Sequence, residues 1–312
     1  MPLTKQWLSG IIHMDNIVSK PNFTAWFVLQ GTIAAMHQPY AHGADTKLPF
    51  KYYEALSRTA ADTRLISRVI TALPYWLQYR IGEFVTNKGR LRHYYLRKKT
   101  IAVWVRNLLV HNDIRQMVIL GAGLDALPMQ LAEEFPDLKC IEIDVKESQH
   151  FKCLAFEKAG IAIPENIEYL SADLRNPLNQ VLESSKIFSS ERKTLWLAEG
   201  FFMFLTETEV SRLFSEIKTL STAGSQMVFT TLPVLNQGTF LSKMIQNCYL
   251  KREKSPMLWL IKRDKIPLFA DKTGYIHRQT MAYEELPESH NLPKFDNVKQ
   301  VGEDIHRIEV LE

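Results

Sequence analysis

The spacing of hydrophobic positions changes twice along the 312-residue chain. Up to about residue 110 it runs at threes and fours. Phe23-x-x-Trp26-Phe27 and Leu65-Ile66-x-x-Val69-Ile70 predict the buried faces of helices, punctuated by Pro39, Pro49 and Pro74. From about 115 to 231 short unbroken apolar runs, ending at Leu120, Ile143 and Leu197, alternate with helical stretches. Such alternation predicts strands buried on both faces of a doubly wound α/β sheet. Thr206-x-x-Glu209 is a capping box that opens a helix ending before Ala223-Gly224, and Ser225 to Thr231 follows as a strand. Beyond Pro233 the pattern predicts an apolar helix from Leu235 to Leu260, a short helix at Ala282 to Leu286 and a final strand at Arg307 to Leu311. The expected organisation is one domain over residues 1–312: a helical cover to 110, an α/β core over 115–231, and last strands with a lid over 232–312.

The junction at Gly121-Ala122-Gly123 carries the clearest chemistry. Glycines directly after an apolar strand let the backbone turn tightly and approach a ligand where a Cβ would collide. About twenty residues later a second apolar run ends on Asp144, the place from which a carboxylate reaches ribose hydroxyls. Gly121-x-Gly123-x-x-Ala126 also fits the dinucleotide fingerprint, so an NAD-dependent oxidoreductase is one reading. Two further strand ends carry carboxylates, Asp173 after Ser171-Ala172 and Glu199 after Leu197-Ala198. Four successive strand ends thus bear polar groups suited to an adenosine-containing cofactor.

With these stretches the sequence resembles the leucine carboxyl methyltransferase family, which includes S-adenosylmethionine-dependent O-methyltransferases associated with polyketide pathways. The blocks that carry the resemblance are Lys20-Pro21-Asn22-Phe23-Thr24-Ala25, Leu96-Arg97-Lys98-Lys99, Gly121-Ala122-Gly123-Leu124-Asp125, Leu131 to Pro136, Glu142-Ile143-Asp144 with Lys152, and Ala198-Glu199-Gly200 with its apolar tail. Ala126 stands where the family usually has Thr, Gln130 where Arg is usual, and Lys146 where Pro is usual. The resemblance implies a class I, Rossmann-like methyltransferase fold with S-adenosylmethionine as cofactor. It implies that Arg97 pairs with the methionine carboxylate and that the backbone of Gly121, Ala122 and Gly123 lines the methionine and ribose. By the same resemblance Asp144 holds the ribose hydroxyls, Asp173 and Leu174 flank the adenine, and Glu199 lies below the reacting methyl. The chemistry of the cofactor suits these types: a planar guanidinium meets a carboxylate with two charge-assisted bonds, and carboxylates accept from a diol or an adenine amino group.

Composition narrows the alternatives. A hydrophobic content of 46% supports one large core, and a net charge of +4 makes no demand for a nucleic-acid partner. The basic runs Arg90 to Arg106 and Lys251 to Lys265 keep an RNA-binding methyltransferase open; a solvated helix face explains the first run equally well. Three scattered cysteines, Cys140, Cys153 and Cys248, form no CxxC pair, which fits a reducing cytoplasm and no metal site. The longest apolar stretch, Ala25 to Met36, is too short to span a bilayer and contains Gln30. No HExxH or GxSxG motif occurs. The expected partner is a small-molecule or peptide methyl acceptor presenting a carboxylate or hydroxyl. Phe201, Phe202 and Phe204 are candidate pocket walls or core. Tyr79, Tyr275 and His277 are available as bases, but nothing in their spacing singles one out, so no catalytic acid or base is assigned.

Overall fold

The computed structural model describes residues 21–41, 48–233, 256–295 and 302–311. Among the described residues five helices come first: α1 (Phe23–Met36), α2 (Phe50–Ala61), α3 (Leu65–Ala72), α4 (Tyr75–Val85) and the 22-residue α5 (Arg90–His111). Seven strands follow with helices between them. They are β1 (Gln116–Leu120), β2 (Lys139–Asp144), β3 (Ile167–Ser171), β4 (Thr194–Ala198), β5 (Gln226–Thr231), β6 (Tyr275–Met281) and β7 (Asp304–Val310). The intervening helices are α6 (Leu127–Glu134), α7 (Lys146–Lys158), α8 (Leu178–Glu183), α9 (Glu207–Thr219) and α10 (Ile266–Lys272).

The strands form one sheet in the order β3-β2-β1-β4-β5-β7-β6. The first five are parallel, with Val118 in register with both Ile141 of β2 and Trp196 of β4. β7 runs antiparallel between β5 and β6. Every residue of β1, β4 and β5 is buried, as parallel strands covered on both faces require. Alternate residues feed two cores: Met117, Ile119, Leu195 and Leu197 pack toward the cover, whereas Val118, Leu120, Trp196 and Ala198 pack toward α9 and α10. The chain order reverses between β1 and β4, so the carboxyl ends of these two strands open a crevice at the topological switch point.

The capping box is present: Thr206 Oγ1 accepts from the Glu209 N–H at 3.3 Å while Glu209 accepts from the Thr206 N–H at 2.7 Å, and α9 starts there. Four sequence expectations need correction. The Leu65-Ile66-x-x-Val69-Ile70 stripe is buried only at one edge: Leu65, Ile66 and Val69 are 77%, 51% and 50% exposed, while half-buried Ile70, beside buried Ser67, packs against the core. The final strand begins at Asp304, three residues before the expected start, because the added residues keep the β5 pairing through Thr231. Ala282 to Leu286 yields only the 3-10 turn Tyr283–Glu285, which closes as the backbone N–H of Tyr283 donates to Asp304. Most of the helix expected from Leu235 to Leu260 lies outside the described residues, and 256–260 are not helical.

Where β5, β7 and β6 meet, His306 is fully buried. Its Nε2 is 2.7 Å from Thr231 Oγ1 and its Nδ1 is 2.9 Å from Thr280 Oγ1. Burial, aided by His277 and Arg263, pushes its imidazole down to about 3, so it is held neutral.

Candidate cofactor and acceptor site

A cavity of about 810 Å³ opens at the switch-point crevice. Its floor is the turn after β1, where Gly121 and Gly123 have φ of +63° and +50°. Only glycine reaches this left-handed region without strain, and a Cβ on Gly121 would also enter the ring of Phe201. The Gly123 N–H donates to Asp144 Oδ2 at 2.6 Å, and the Val145 N–H donates to Oδ1 at 2.6 Å. These bonds hold the Asp144 carboxylate against the glycine turn, on the cavity wall.

One face of α5 forms the opposite side. Arg90, Tyr94, Arg97 and Lys98 all line the cavity, the i, i+4, i+7, i+8 spacing of a single helical face. The basic run is therefore not a solvated surface: Arg97, Lys98 and Lys99 are buried. Arg97 donates from Nε and Nη2 to Glu199 Oε1 at 3.0 and 2.7 Å, and its Nη1 also meets the Glu303 carboxylate. Lys98 Nζ lies 3.0 Å from Glu199 Oε1 and 3.3 Å from Asp125 Oδ1. Tyr53 of α2 donates its hydroxyl to the same Asp125 oxygen at 2.9 Å. Burial works against the Asp125 carboxylate, but the Lys98 and Lys152 charges and the tyrosine hydroxyl outweigh it and hold its pKa below the usual range. Beneath this cluster Lys152 Nζ donates to Glu142 Oε2 at 2.5 Å and to the Asp125 carbonyl at 2.7 Å, with both side chains sealed from solvent.

The expected residues divide unevenly. Arg97, Gly121, Ala122, Gly123, Asp144 and Glu199 all border the cavity. Asp173 and Leu174 do not. Asp173 faces outward and is gripped by Arg175, whose Nη2 is 2.5 Å from Oδ2, while Leu174 packs in the sheet core below. Arg175 borders the cavity in their place. Phe201 and Phe204 are walls, but Phe202 is core, ringed by Phe214, Phe229 and Trp259. The three speculative bases lie elsewhere: the Tyr275 hydroxyl donates to the Phe214 carbonyl at 2.6 Å, His277 bonds Thr280, and Tyr79 stacks edge-on to Tyr40. Lys98, Tyr53 and Glu303 were not singled out from sequence. Lys98 carried a signal, standing beside Arg97 in a run that turns inward; Glu303, just before β7, carried none.

The arrangement fits S-adenosylmethionine. Glu199 Oε2 is buried with no hydrogen-bond partner among the described residues, an acceptor left over at the cavity wall. The glycine turn admits close backbone approach, and the Asp144 carboxylate is fixed beside it. No group of His, Cys, Asp and Glu suited to holding a metal ion occurs among the described residues, nor is any described helix long and apolar enough to cross a membrane.

A seven-stranded sheet of this order, with a glycine turn after β1 and acids after β2 and β4 at the switch point, defines the class I methyltransferase fold. Solved structures with that fold include a methyltransferase of Thermobifida fusca, with a TM-score of 0.60 and 16% identity over 84% of this chain and 94% of that one. A DUF574 family protein of Streptomyces avermitilis superposes with a TM-score of 0.54 and 12% identity, over 89% of this chain and 96% of that one. Residues 34–218 match the leucine carboxyl methyltransferase family, and the chain belongs to it. Among curated relatives, proteins of Mycolicibacterium paratuberculosis and Mycobacterium ulcerans, both named as S-adenosyl-L-methionine-dependent methyltransferases, are 32% identical over 125 and 121 residues. These matches span 40% and 38% of this chain, and 39% and 38% of the relatives' own length.

Proposed function

We propose that this protein is a methyltransferase that moves the methyl group of S-adenosylmethionine to an oxygen of a small molecule or peptide. The observation that carries this reading is the convergence of the Gly121–Gly123 turn, Asp144, Arg97 and Glu199 on one cavity at the switch point. Family membership supports the methyl donor over NAD for the Gly121-x-Gly123-x-x-Ala126 turn. Burial of Arg97, Lys98 and Lys99 removes much of the basic stripe that an RNA-binding reading needs.

When bound, S-adenosylmethionine supplies an electrophilic methyl on a sulfonium leaving group. The chain's contribution is positional. Asp144, braced by two backbone N–H groups, accepts from the ribose hydroxyls. Arg97 and Glu199 present a cation and a free carboxylate oxygen to the zwitterionic end. Phe201 and Phe204 exclude water around the methyl, and an aromatic face also favours a sulfonium. Holding an acceptor in line at near-attack distance accounts for about 7–11 kcal/mol of such a barrier. Among the described residues lining the cavity there is no histidine or cysteine. A base for a hydroxyl acceptor would therefore come from a lining carboxylate such as Glu199, whose Oε2 has no partner among the described residues.

Calorimetric titration with S-adenosylhomocysteine tests the reading. The wild type is expected to bind, and Asp144→Ala, which removes the diol acceptor and leaves the core intact, to bind about 10- to 100-fold more weakly. A folded wild type that fails to bind the ligand overturns it.

A further inference from the structure

Resting on the methyltransferase reading, we infer that the acceptor is an apolar, ring-sized molecule bearing an anionic group, and that Arg90 is the residue that holds the anion. Of the four cations among the described residues that border the cavity, three are engaged. Arg97 is bound to Glu199 and Glu303, Lys98 to Glu199 and Asp125, and Arg175 to Asp173. The Arg90 guanidinium makes no hydrogen bond or ion pair with any described residue. Glu83, the acid that feels the Arg90 charge, is committed elsewhere: its carboxylate accepts from the backbone N–H groups of Gly89 and Leu91 at the start of α5. Glu83 nonetheless contributes to the local field, since Arg90 is among the charges that offset the burial raising its pKa.

The space between Arg90 and the Arg97 cluster is walled by rings. Tyr94 sits one turn from Arg90 on the same face, with the Arg97 guanidinium 5.6 Å from its ring centre. Phe27 meets Tyr94 edge-on at 6.4 Å and 88°, and Phe23 stacks on Phe27 at 6.5 Å and 16°. Phe201 and Leu258 also line the cavity. A flat apolar body fits such walls by offset and edge contacts. An unpaired guanidinium at their outer end fits a carboxylate through two parallel N–H bonds. Arg97, Lys98 and Arg175 are already matched by acids, so an anion beyond the cofactor's own carboxylate is best met at Arg90, and this fixes the orientation of the acceptor. Arg90 and Arg97 are seven residues apart on one helix, about 10 Å along its axis, room for a fused two-ring body.

The test uses a matched pair of probes, 2-naphthoate and its neutral counterpart 2-naphthamide, titrated calorimetrically into protein saturated with S-adenosylhomocysteine. The wild type is expected to prefer the naphthoate about tenfold. Arg90→Gln is expected to erase that preference by weakening naphthoate alone, leaving naphthamide and S-adenosylhomocysteine affinities unchanged. Arg90→Lys, which keeps the charge without the planar fork, is expected to retain part of it. Equal affinity of the wild type for the two probes, no affinity for either, or an Arg90→Gln variant that binds naphthoate as the wild type does, overturns the assignment. Failure of the methyltransferase reading shows separately, as loss of S-adenosylhomocysteine binding by the wild type.

Discussion

Lys152→Met is expected to lower the unfolding free energy by about 3–5 kcal/mol, the typical cost of removing one partner from a buried ion pair. Lys152 and Glu142 are both fully buried and joined at 2.5 Å, and the ammonium also serves the Asp125 carbonyl. Methionine fills nearly the same volume, so the loss reports charge rather than a cavity. The variant leaves the Glu142 carboxylate stranded in an apolar layer. Burial already raises the Glu142 pKa above its ordinary 4.5, against the pull of Lys152; without that pull it rises further. A carboxyl with a raised folded pKa contributes stability below its unfolded value and loses it as pH climbs through the folded one. The deficit of Lys152→Met is therefore smaller at pH 5 than at pH 8. Glu142→Gln in the same background removes the stranded charge and is expected to recover much of the loss. Urea denaturation followed by circular dichroism at the two pH values reads all three statements. A deficit that is independent of pH, or that grows when Glu142 is also neutralised, contradicts them.

Acidification is expected to cost the protein about 4 kcal/mol through His306 alone as pH falls from 6.5 toward 3. The imidazole is sealed between Thr231 and Thr280 and pushed down to about 3, chiefly by burial. In the unfolded chain it titrates near its ordinary value of 6.5. A group with a depressed folded pKa contributes stability above its unfolded pKa. That stability drains away as pH falls toward the folded one, at about 1.4 kcal/mol per pH unit. His290, lowered to about 4 by burial and the Lys99 charge, and fully buried His93 steepen the decline. His306→Gln keeps two polar atoms for the threonines but takes up no proton. Its stability, lower at pH 8 by the cost of imperfect bonding, is expected to fall less steeply than that of the wild type between pH 6.5 and 4. Parallel pH profiles for the two proteins would remove His306 from this account.

The α/β core was legible because its signals are local. An unbroken apolar run such as Met117 to Leu120 has one good solution when it precedes two glycines, and Thr206 and Glu209 cap α9 using only residues one turn apart. Asp144 and Glu199 were legible for the same reason, as acids that end strands. What failed were inferences about which way a side chain faces. The Leu65, Ile66 and Val69 stripe has helical spacing, yet spacing identifies a face without saying whether anything lies against it. Asp173 follows its strand as expected but pairs with Arg175, two residues on, and does not border the cavity. Arg97 and Lys98 read equally well as surface, since a basic run on a helix acquires its buried acids only through the fold. Glu303 reaches Arg97 across most of the sequence, and no spacing rule connects them.

Asp125 belongs to the turn after β1, Lys152 to a helix of the sheet, and Tyr53 and Lys98 to the helical cover, yet all four meet at one carboxylate and its backbone. Peeling the cover away would dissolve that shared cluster and uncover Ile119 and Leu124 in the same event, so no intermediate with a bare sheet gains stability from what it keeps. Heated, the cover and the sheet are therefore expected to give one calorimetric transition, the roof of the cavity lasting as long as its floor.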